Sequence, residues 1–488
     1  MSTQPPEQKQ GEPAEQPRIG IDEWVASAAE RRSRTLAGRF EEAYERAPPA
    51  LKLVALALPF AIFPLFVDSD YLLQVGVDTL IFVLLALGLN VAAGWVGLLD
   101  LGFVAFFGLG AYLYAAVASP YAGRHWEAEL AIPAIAVAVA AAGFLLGSTS
   151  RRLVGDYLAI VTLFFLQLWL VVMVNASFTR GPNGISDIYP LEFFGREVVS
   201  LEGYYYVTFA AFVLVVAFLY LLNRSRTGRA WRAIREDELA AELMTMPVNR
   251  LKLMAFAVGA GIAGVAGALY APAQGAVFPL NFDIILLITI YAMVVLGGAG
   301  SIFGVTVGAV LINASLEALS EPDDASWVFY VAGVGAILVL LRRPRWAGAA
   351  IVGGTVVFGF VVHELAERWR PSLVEGSTFG TARVDELVDS WVLLPEGIIT
   401  QDGLPDGATG KLAFLGLVAA VLALTLIRSP LWRAVGLVPV LYLAACVWEN
   451  LLLAQPATAR FILIGAMLVG LMAFRPQGLF GQQRVEVV

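Results

Sequence analysis

Apolar runs of close to twenty residues recur along this chain at about 50–67, 72–96, 102–118, 129–149, 156–175, 204–222, 253–275, 284–298, 302–318, 327–341, 346–363, 411–427, 432–453 and 459–474. A helix needs about twenty predominantly apolar residues to cross a bilayer, so each run is a candidate span. By length alone, 488 residues would make about three soluble domains. Soluble domains, however, are roughly 45–50% apolar and about 25% charged, whereas the fractions here are 59% and 15%. The sequence therefore predicts an all-α polytopic membrane protein with fourteen spans. The number is twelve to fourteen if the glycine-rich joints near 97–102 and 298–302 each lie inside one broken helix.

Basic residues collect in cytoplasmic loops, which orients the spans. Arg151 and Arg152 follow the fourth run, and Arg224, Arg226, Arg229, Arg232, Arg235, Arg250 and Lys252 follow the sixth. Arg342, Arg343 and Arg345 follow the tenth, Arg428 and Arg433 the twelfth, and Arg475 the last. The alternate loops are acidic, with Glu321, Asp323 and Asp324 in one and the stretch 364–410 in another. Both termini are thus expected in the cytoplasm and 364–410 outside it. Residues 1–49 read as a polar cytoplasmic tail, disordered over 1–20, where Pro5, Pro6, Pro13 and Pro17 fall. No signal peptide is expected, because no short apolar region with a cleavage site precedes the first run. Between Ile21 and Tyr44, apolar positions alternate with Arg31, Arg32, Arg34 and Arg39. That pattern suits a helix on the inner membrane surface or a solvated one.

Several functions are excluded or disfavoured at this point. A net charge of −8 offers no basic face to a nucleic acid. Cys446 is alone and His125 and His363 are the two histidines, so no cysteine–histidine cluster for a metal is expected. No catalytic residue, metal ligand or cofactor is assigned. No GxxxxGK[ST] phosphate loop occurs: GATGKL at 407–412 lacks the earlier glycine and has Leu412 where Ser or Thr is required.

Three stretches break the apolar monotony. In LNVAAGWVGLLDLGFVAFFGLGAYL, residues 89–113, glycines surround Asp100. A carboxylate at that depth is expected to face protein or a polar cavity. In YAMVVLGGAGSIFGVTVGA, residues 291–309, Gly297, Gly298, Gly300 and Gly304 open a second apolar run. Two glycine-interrupted runs, one in each half, point to two related halves around a transport pathway, or else to close helix packing through small residues. The candidate pathway residues are Asn90, Gly97, Asp100, Gly102, Gly297, Gly298 and Gly300. The third stretch is the polar connection 223–252, in which 228–246 reads as one amphipathic helix with Trp231, Ile234, Leu239, Leu243 and Met246 as its apolar contacts, ended by Pro247. Such a helix can dock into a groove of a partner.

Residues 226–272, which end in KLMAFAVGAGIAGVAGALYA, resemble the coupling loop and following span of ABC importer permeases, specifically the LivM-type branched-chain amino acid permeases. LNVAAGWVGLLDLGFVAFFGLGAY (89–112), DYLAIVTL (156–163), GPNGI (181–185), MVVLGGAGSIFG (293–304) and the terminal FRPQGLFG (474–481) agree in order and spacing. The resemblance covers roughly 70–320 and the last thirty residues. It implies one subunit of a larger machine in a prokaryotic inner membrane. A second homologous permease completes the pore, two cytosolic ATPases drive it, and an extracytoplasmic binding protein delivers substrate. It also implies that Arg235, Glu238, Ala240, Ala241, Glu242 and Thr245 form the ATPase-coupling loop, and that Gly181, Asn183 and Gly184 belong to an outer loop.

The sequence also departs from the family pattern. Thr245 and Arg180 stand where the family more often has glycine, Asp100 and Phe103 replace a common Ser and His, and Val305 follows Gly304 where Pro is frequent. Branched-chain amino acids are therefore the default substrates, with urea, short amides or another small polar solute as alternatives. A self-contained ion-coupled secondary transporter is the alternative of a different class. The expected organisation is a permease core at 50–320, inserted spans at 321–458, and a last span with its tail at 459–488. The acidic segment 364–410 reads as a solvated linker or as a surface for the binding protein. Single cysteines at Ser377 and Ser225, placed in a Cys446→Ser background, are expected to label from opposite sides of the membrane. Labelling of both from the outside would refute the topology.

Overall fold

The computed structural model describes residues 48–67, 69–121, 123–150, 156–320, 345–374, 390–394, 409–427, 429–452 and 478–480, together with parts of 329–337 and 461–469 and residue 388. The expectations for residues 1–47, for Arg151 and Arg152, for 321–328 and for most of 459–488 lie outside the described residues. Helix α1 (Pro49–Ile62) belongs to a compact unit that ends at Phe63. Pro49 sits at its first position, where a missing N–H breaks no helical hydrogen bond.

The second unit begins at Pro64. Its helices are α2 (Asp70–Leu89, continued by a π-helical turn Asn90–Val96), α3 (Phe103–Val117), α4 (Ala128–Ser150), α5 (Asp156–Asn175) and α6 (Leu201–Arg224). After them come α7 (Arg226–Glu236), α8 (Glu238–Leu243), α9 (Val248–Gln274), α10 (Ile284–Gly297) and α11 (Ile302–Ala318). The last group is α12 (Arg345–Trp369), α13 (Thr409–Leu426) and α14 (Pro430–Val447), the last extended by a π turn over Trp448–Leu452. Among the described residues, eight helices are long and apolar enough to cross a membrane, and four shorter apolar helices accompany them. This is a multi-pass, all-α membrane protein. The expected runs 327–341 and 459–474 are described only in fragments.

Helices α2 and α9 are the most enclosed of the eight, each with 67% of its central window buried. Both are apolar or small on every side, which is the pattern of a helix surrounded by others. Helix α2 packs against α6, α9, α10 and α11, while α9 lies against α3 and α4. Glycine sets how closely the helices approach. A Cβ on Gly264 would come within 2.8 Å of Val139 Cβ, and one on Gly297 or Gly304 would overlap the carbonyl oxygen of the other. The glycine-rich stretches thus serve close packing. The structure also decides between one broken helix and two: α10 and α11 are separate helices joined by a turn at Gly298–Ser301, and α2 is separated from α3 by residues 97–102.

Small hairpins close the end of the bundle where α3 and α9 finish. Strands β1 (Ala118–Ser119) and β2 (Arg124–His125) pair antiparallel, as do β3 (Leu191–Phe193) and β4 (Arg196–Val198). Ile185 bridges Val277, and Tyr189 N–H donates to Ala118 O at 2.9 Å.

In place of the single amphipathic helix expected over 228–246 there is an elbow. Asp237 is extended (φ −154°) and its Oδ1 accepts from Ala240 N–H at 2.9 Å, so one residue ends α7 and caps α8. An Asp side chain competes for backbone donors in this way, which favours a cap over a helix interior. Helix α8 ends at Leu243, and Pro247 precedes α9. Thr245 between them adopts φ +63°, and Arg180 adopts φ +60°. These are the two positions where glycine is the more usual residue in the resembled family, and left-handed backbone is what glycine supplies without strain.

The C-terminal helices have a core of their own. Val388, Val392 and Leu394 pack with Tyr442, Ala445 and Cys446, with Phe358, Val362 and Trp391 around them. This part of the acidic 364–410 segment therefore turns inward and is not a solvated linker. Asn450 Nδ2 donates to Leu393 O at 2.7 Å and Tyr442 Oη to Trp391 O at 3.1 Å, fixing the inward turn from α14.

Two stability outcomes follow from these contacts. Gly304→Val forces a side chain onto Gly297 O and is expected to cost about 1–3 kcal/mol or to block assembly. Gly353→Val, where no atom lies within 4 Å of the new Cβ, serves as the neutral control, with thermal unfolding in detergent as the measurement. Thr245→Gly relieves left-handed strain of about 1–2 kcal/mol and is expected to raise the same melting midpoint slightly, less the entropy glycine adds to the unfolded chain.

Candidate functional site

The two glycine-rich turns meet at one place, beside the last turn of α7. Asn90 is fully buried in the π turn that ends α2, and its Oδ1 accepts from Gly300 N–H at 2.7 Å. Trp95 Nε1 donates to Gly300 O at 3.0 Å, so α2 holds both backbone groups of Gly300. Gly300 has φ +100°, and Gly94 leaves no room for a Cβ against Asn90 Oδ1. A π turn widens the helix at the point where Asn90 and Trp95 must both reach sideways, and such turns are frequent at functional sites.

Arg235 enters from α7. Its Nη1 donates to Gly94 O and, at 3.4 Å, to Ala299 O. Hydrogen bonds from a charged donor are worth about 1.5–3 kcal/mol each, so this contact outweighs the neutral ones around it. Trp231, fully buried one turn earlier, stacks on Trp95 with ring centroids 6.2 Å apart and donates from Nε1 to Leu251 O at 2.8 Å. Helix α7 is thereby pinned to α9 on one side and to α2 on the other.

Asp100 is 1% exposed, and its Oδ1 accepts from Gly102 N–H at 2.9 Å, immediately before α3. A carboxylate at a helix N-terminus is favourably placed against the dipole. The backbone carbonyl of Asp100 accepts from Tyr291 Oη at 2.9 Å, which ties this turn to α10. Thr162 Oγ1 accepts from Leu101 N–H at 2.9 Å. From the far end of the sequence, Leu479 N–H donates to Leu296 O at 2.8 Å and Phe480 N–H to Gly297 O at 3.0 Å. These bonds cap α10, and Phe480 packs edge-on to Phe303.

The structure thus brings Asn90, Gly97, Gly300 and Arg235 to one junction at the end of α10, where Gly297 and Gly298 lie, while Asp100 and Gly102 sit in the adjoining 97–102 turn against Tyr291 and Thr162. In this arrangement the two turns are held together by side chains, with Asn90, Trp95 and Arg235 bonded to their backbone groups. Trp95, Trp231, Tyr291 and Phe480 also belong to it. Trp95 and Phe480 lie in the blocks 89–112 and 474–481 and Trp231 in 226–272, which was the signal that could have found them, whereas Tyr291 falls just before 293–304. Gly181, Asn183 and Gly184 lie elsewhere. Ile185, next to them, bridges Val277 just past the end of α9, and the 27 residues of α9 span about 40 Å at 1.5 Å per residue.

The remaining expected coupling residues divide on the elbow. Ala240 and Glu242 are exposed, whereas Ala241 is buried and Glu238 pairs with Lys252 at 2.5 Å. The outer face belongs to Leu239, Leu243 and Met244, which are 72%, 84% and 75% exposed.

The family described as branched-chain amino acid transport system / permease component matches residues 71–341. The high-affinity branched-chain amino acid transport system permease protein LivM of Salmonella typhimurium is 37% identical over 320 residues, covering 61% of this chain and 73% of that one. LivM of Escherichia coli strain K12 matches at the same identity and coverage. The permease protein LivH of Salmonella typhimurium is 29% identical over 199 residues, 40% of this chain and 63% of that one. No solved structure matches the chain. The matched residues 71–341 contain both glycine-rich turns and the α7–α8 elbow between them, and the chain belongs to the permease component family of branched-chain amino acid transport systems.

Proposed function

We propose that this chain is the transmembrane permease subunit of an ATP-driven ABC importer that carries branched-chain or related small amino acids across a prokaryotic inner membrane. A second homologous permease, two cytosolic ATPases and an extracytoplasmic binding protein complete the assembly. The junction of the two glycine-rich turns is the closed inner mouth of the pathway, bordered by Asn90, Gly97, Asp100, Gly102 and Gly297–Gly300. The loop at Gly181, Asn183 and Gly184 lies at the end where substrate arrives. The relatives' names support the substrate class.

The observation that carries this reading is the α7–α8 elbow. Joining α6 to α9 does not require two capped helices whose outward side chains are Leu239, Leu243 and Met244. Apolar side chains displayed on a polar connection suit a cleft in a partner. Glu242 and Ala240 flank them, offering charge and close approach. An ion-driven carrier has no need of such a surface.

Vesicles holding this chain with its second permease and ATPases are expected to take up leucine when supplied with ATP and binding protein. Leu243→Asp with Met244→Asp is expected to lower ATPase co-purification and uptake by more than about tenfold, with the membrane helices still assembled. Uptake driven by an ion gradient in the absence of any ATPase would overturn the reading.

A further inference from the structure

We propose that Arg235 is a transmission residue: its guanidinium fastens the ends of α2 and α10 together, and motion of the α7–α8 elbow releases the junction by withdrawing it. This goes beyond an ATPase-docking role for Arg235 and rests on the importer reading for the source of the motion. The fastening itself does not depend on that reading.

Position is the first argument. Helix α2 with its π turn ends at Val96 and α10 ends at Gly297, both beside the last turn of α7. Two helix C-termini converge there, and each presents the negative end of its dipole and carbonyls that no donor within the helix reaches. A cation placed between them is attracted to both. Arg235 Nη1 takes one carbonyl from each side, Gly94 O and Ala299 O. A guanidinium suits this better than an ammonium because its fork presents several donors in fixed directions.

Clearance is the second. A Cβ on Gly300 would lie 2.7 Å from Arg235 Nη1, and one on Gly97 would lie 3.3 Å from Arg235 Cγ. The missing side chains on both turns leave the track along which this arginine passes. Glycine at these places serves Arg235 as well as the backbone turn.

Leverage is the third. Trp231 is held by Leu251 O and by the Trp95 ring, which makes it the pivot of α7. Arg235 lies one turn beyond the pivot, and Asp237 N–H donates to Ala233 O at 3.1 Å while its side chain caps α8. A pull on the exposed face of α8 is therefore delivered to Arg235 through Asp237, alongside the direct tie of α8 to α9 through the Glu238–Lys252 pair. The bonds from Asn90 and Trp95 to Gly300 would remain, so withdrawal loosens the junction without dismantling it.

Hydrogen–deuterium exchange on the full-length chain in lipid nanodiscs, without ATPases, tests the fastening. Arg235→Met is expected to speed exchange of the amides in 298–301 by about tenfold, the size expected for loss of a charge-assisted hydrogen bond. Arg235→Lys, which keeps the charge but not the fork, should fall between. If Arg235→Met does not assemble, Arg235→Lys carries the same comparison. In the assembled importer, Arg235→Met is expected to retain bound ATPases and ATP hydrolysis while uptake per ATP falls about tenfold, with partial rescue by Arg235→Lys. Unchanged exchange in 298–301 would overturn the fastening with the importer reading intact. Loss of ATPase co-purification would make Arg235 a docking residue and overturn transmission. A wild-type chain that binds no ATPase would overturn the importer reading, and exchange alone would then decide the fastening.

Discussion

The last four carbonyls of a helix have no donor within it, and each one left unpaired in an apolar setting costs about 1–3 kcal/mol. Two helices of this chain end side by side, and the arrangement around them follows from that need. Trp95 and Arg235 donate to carbonyls of the turn after α10 and the end of α2, Leu479 and Phe480 supply N–H groups to α10, and Asn90 accepts from Gly300 N–H. Segments far apart in sequence are drawn to one spot to meet these backbone groups. The glycines let them come close enough.

Much of this was legible before the structure. Twelve of the fourteen expected apolar runs correspond to described helices, and 327–341 and 459–474 to helical fragments, because a long apolar run in a bilayer has few alternatives to helix; the family blocks marked the residues that meet. Three features were not legible. The split at Asp237 was hidden because an Asp in an amphipathic pattern looks like part of the polar face until its side chain is seen to take Ala240 N–H. The inward direction of Ala241 and the outward direction of Leu243 followed from that split, since a new helix begins with a new face. The inward packing of Val388, Val392 and Leu394 was masked because 364–410 carries nine acids against three arginines, which reads as a solvated stretch.

The region beyond the family match belongs to the same compact unit as the matched residues. Its core centres on Tyr442, Cys446 and Val392, and it reaches back to the end of the matched stretch. Tyr330 Oη donates to Glu449 Oε1 at 2.8 Å, and Phe329 stacks on Trp448 at 4.3 Å. Glu449 and Asn450 are both buried within a span, and their partners explain how an apolar environment tolerates them. The added helices thus form a hydrophobic cluster and draw on Phe329 and Tyr330 of the matched stretch for ring and polar partners.

The bonds from Leu479 and Phe480 to α10 also carry a consequence for biogenesis. A ribosome makes α10 long before it makes the residues that cap it, and α12–α14 must be synthesised in between. At about 5–20 residues per second, the carbonyls of Leu296 and Gly297 wait on the order of ten to forty seconds for those donors. Through that interval the nascent junction depends on substitute donors, from water or from the insertion machinery. Its completion is therefore a late, post-insertion event, so a chain truncated before Gly478 would hold its spans yet leave the end of α10 uncapped.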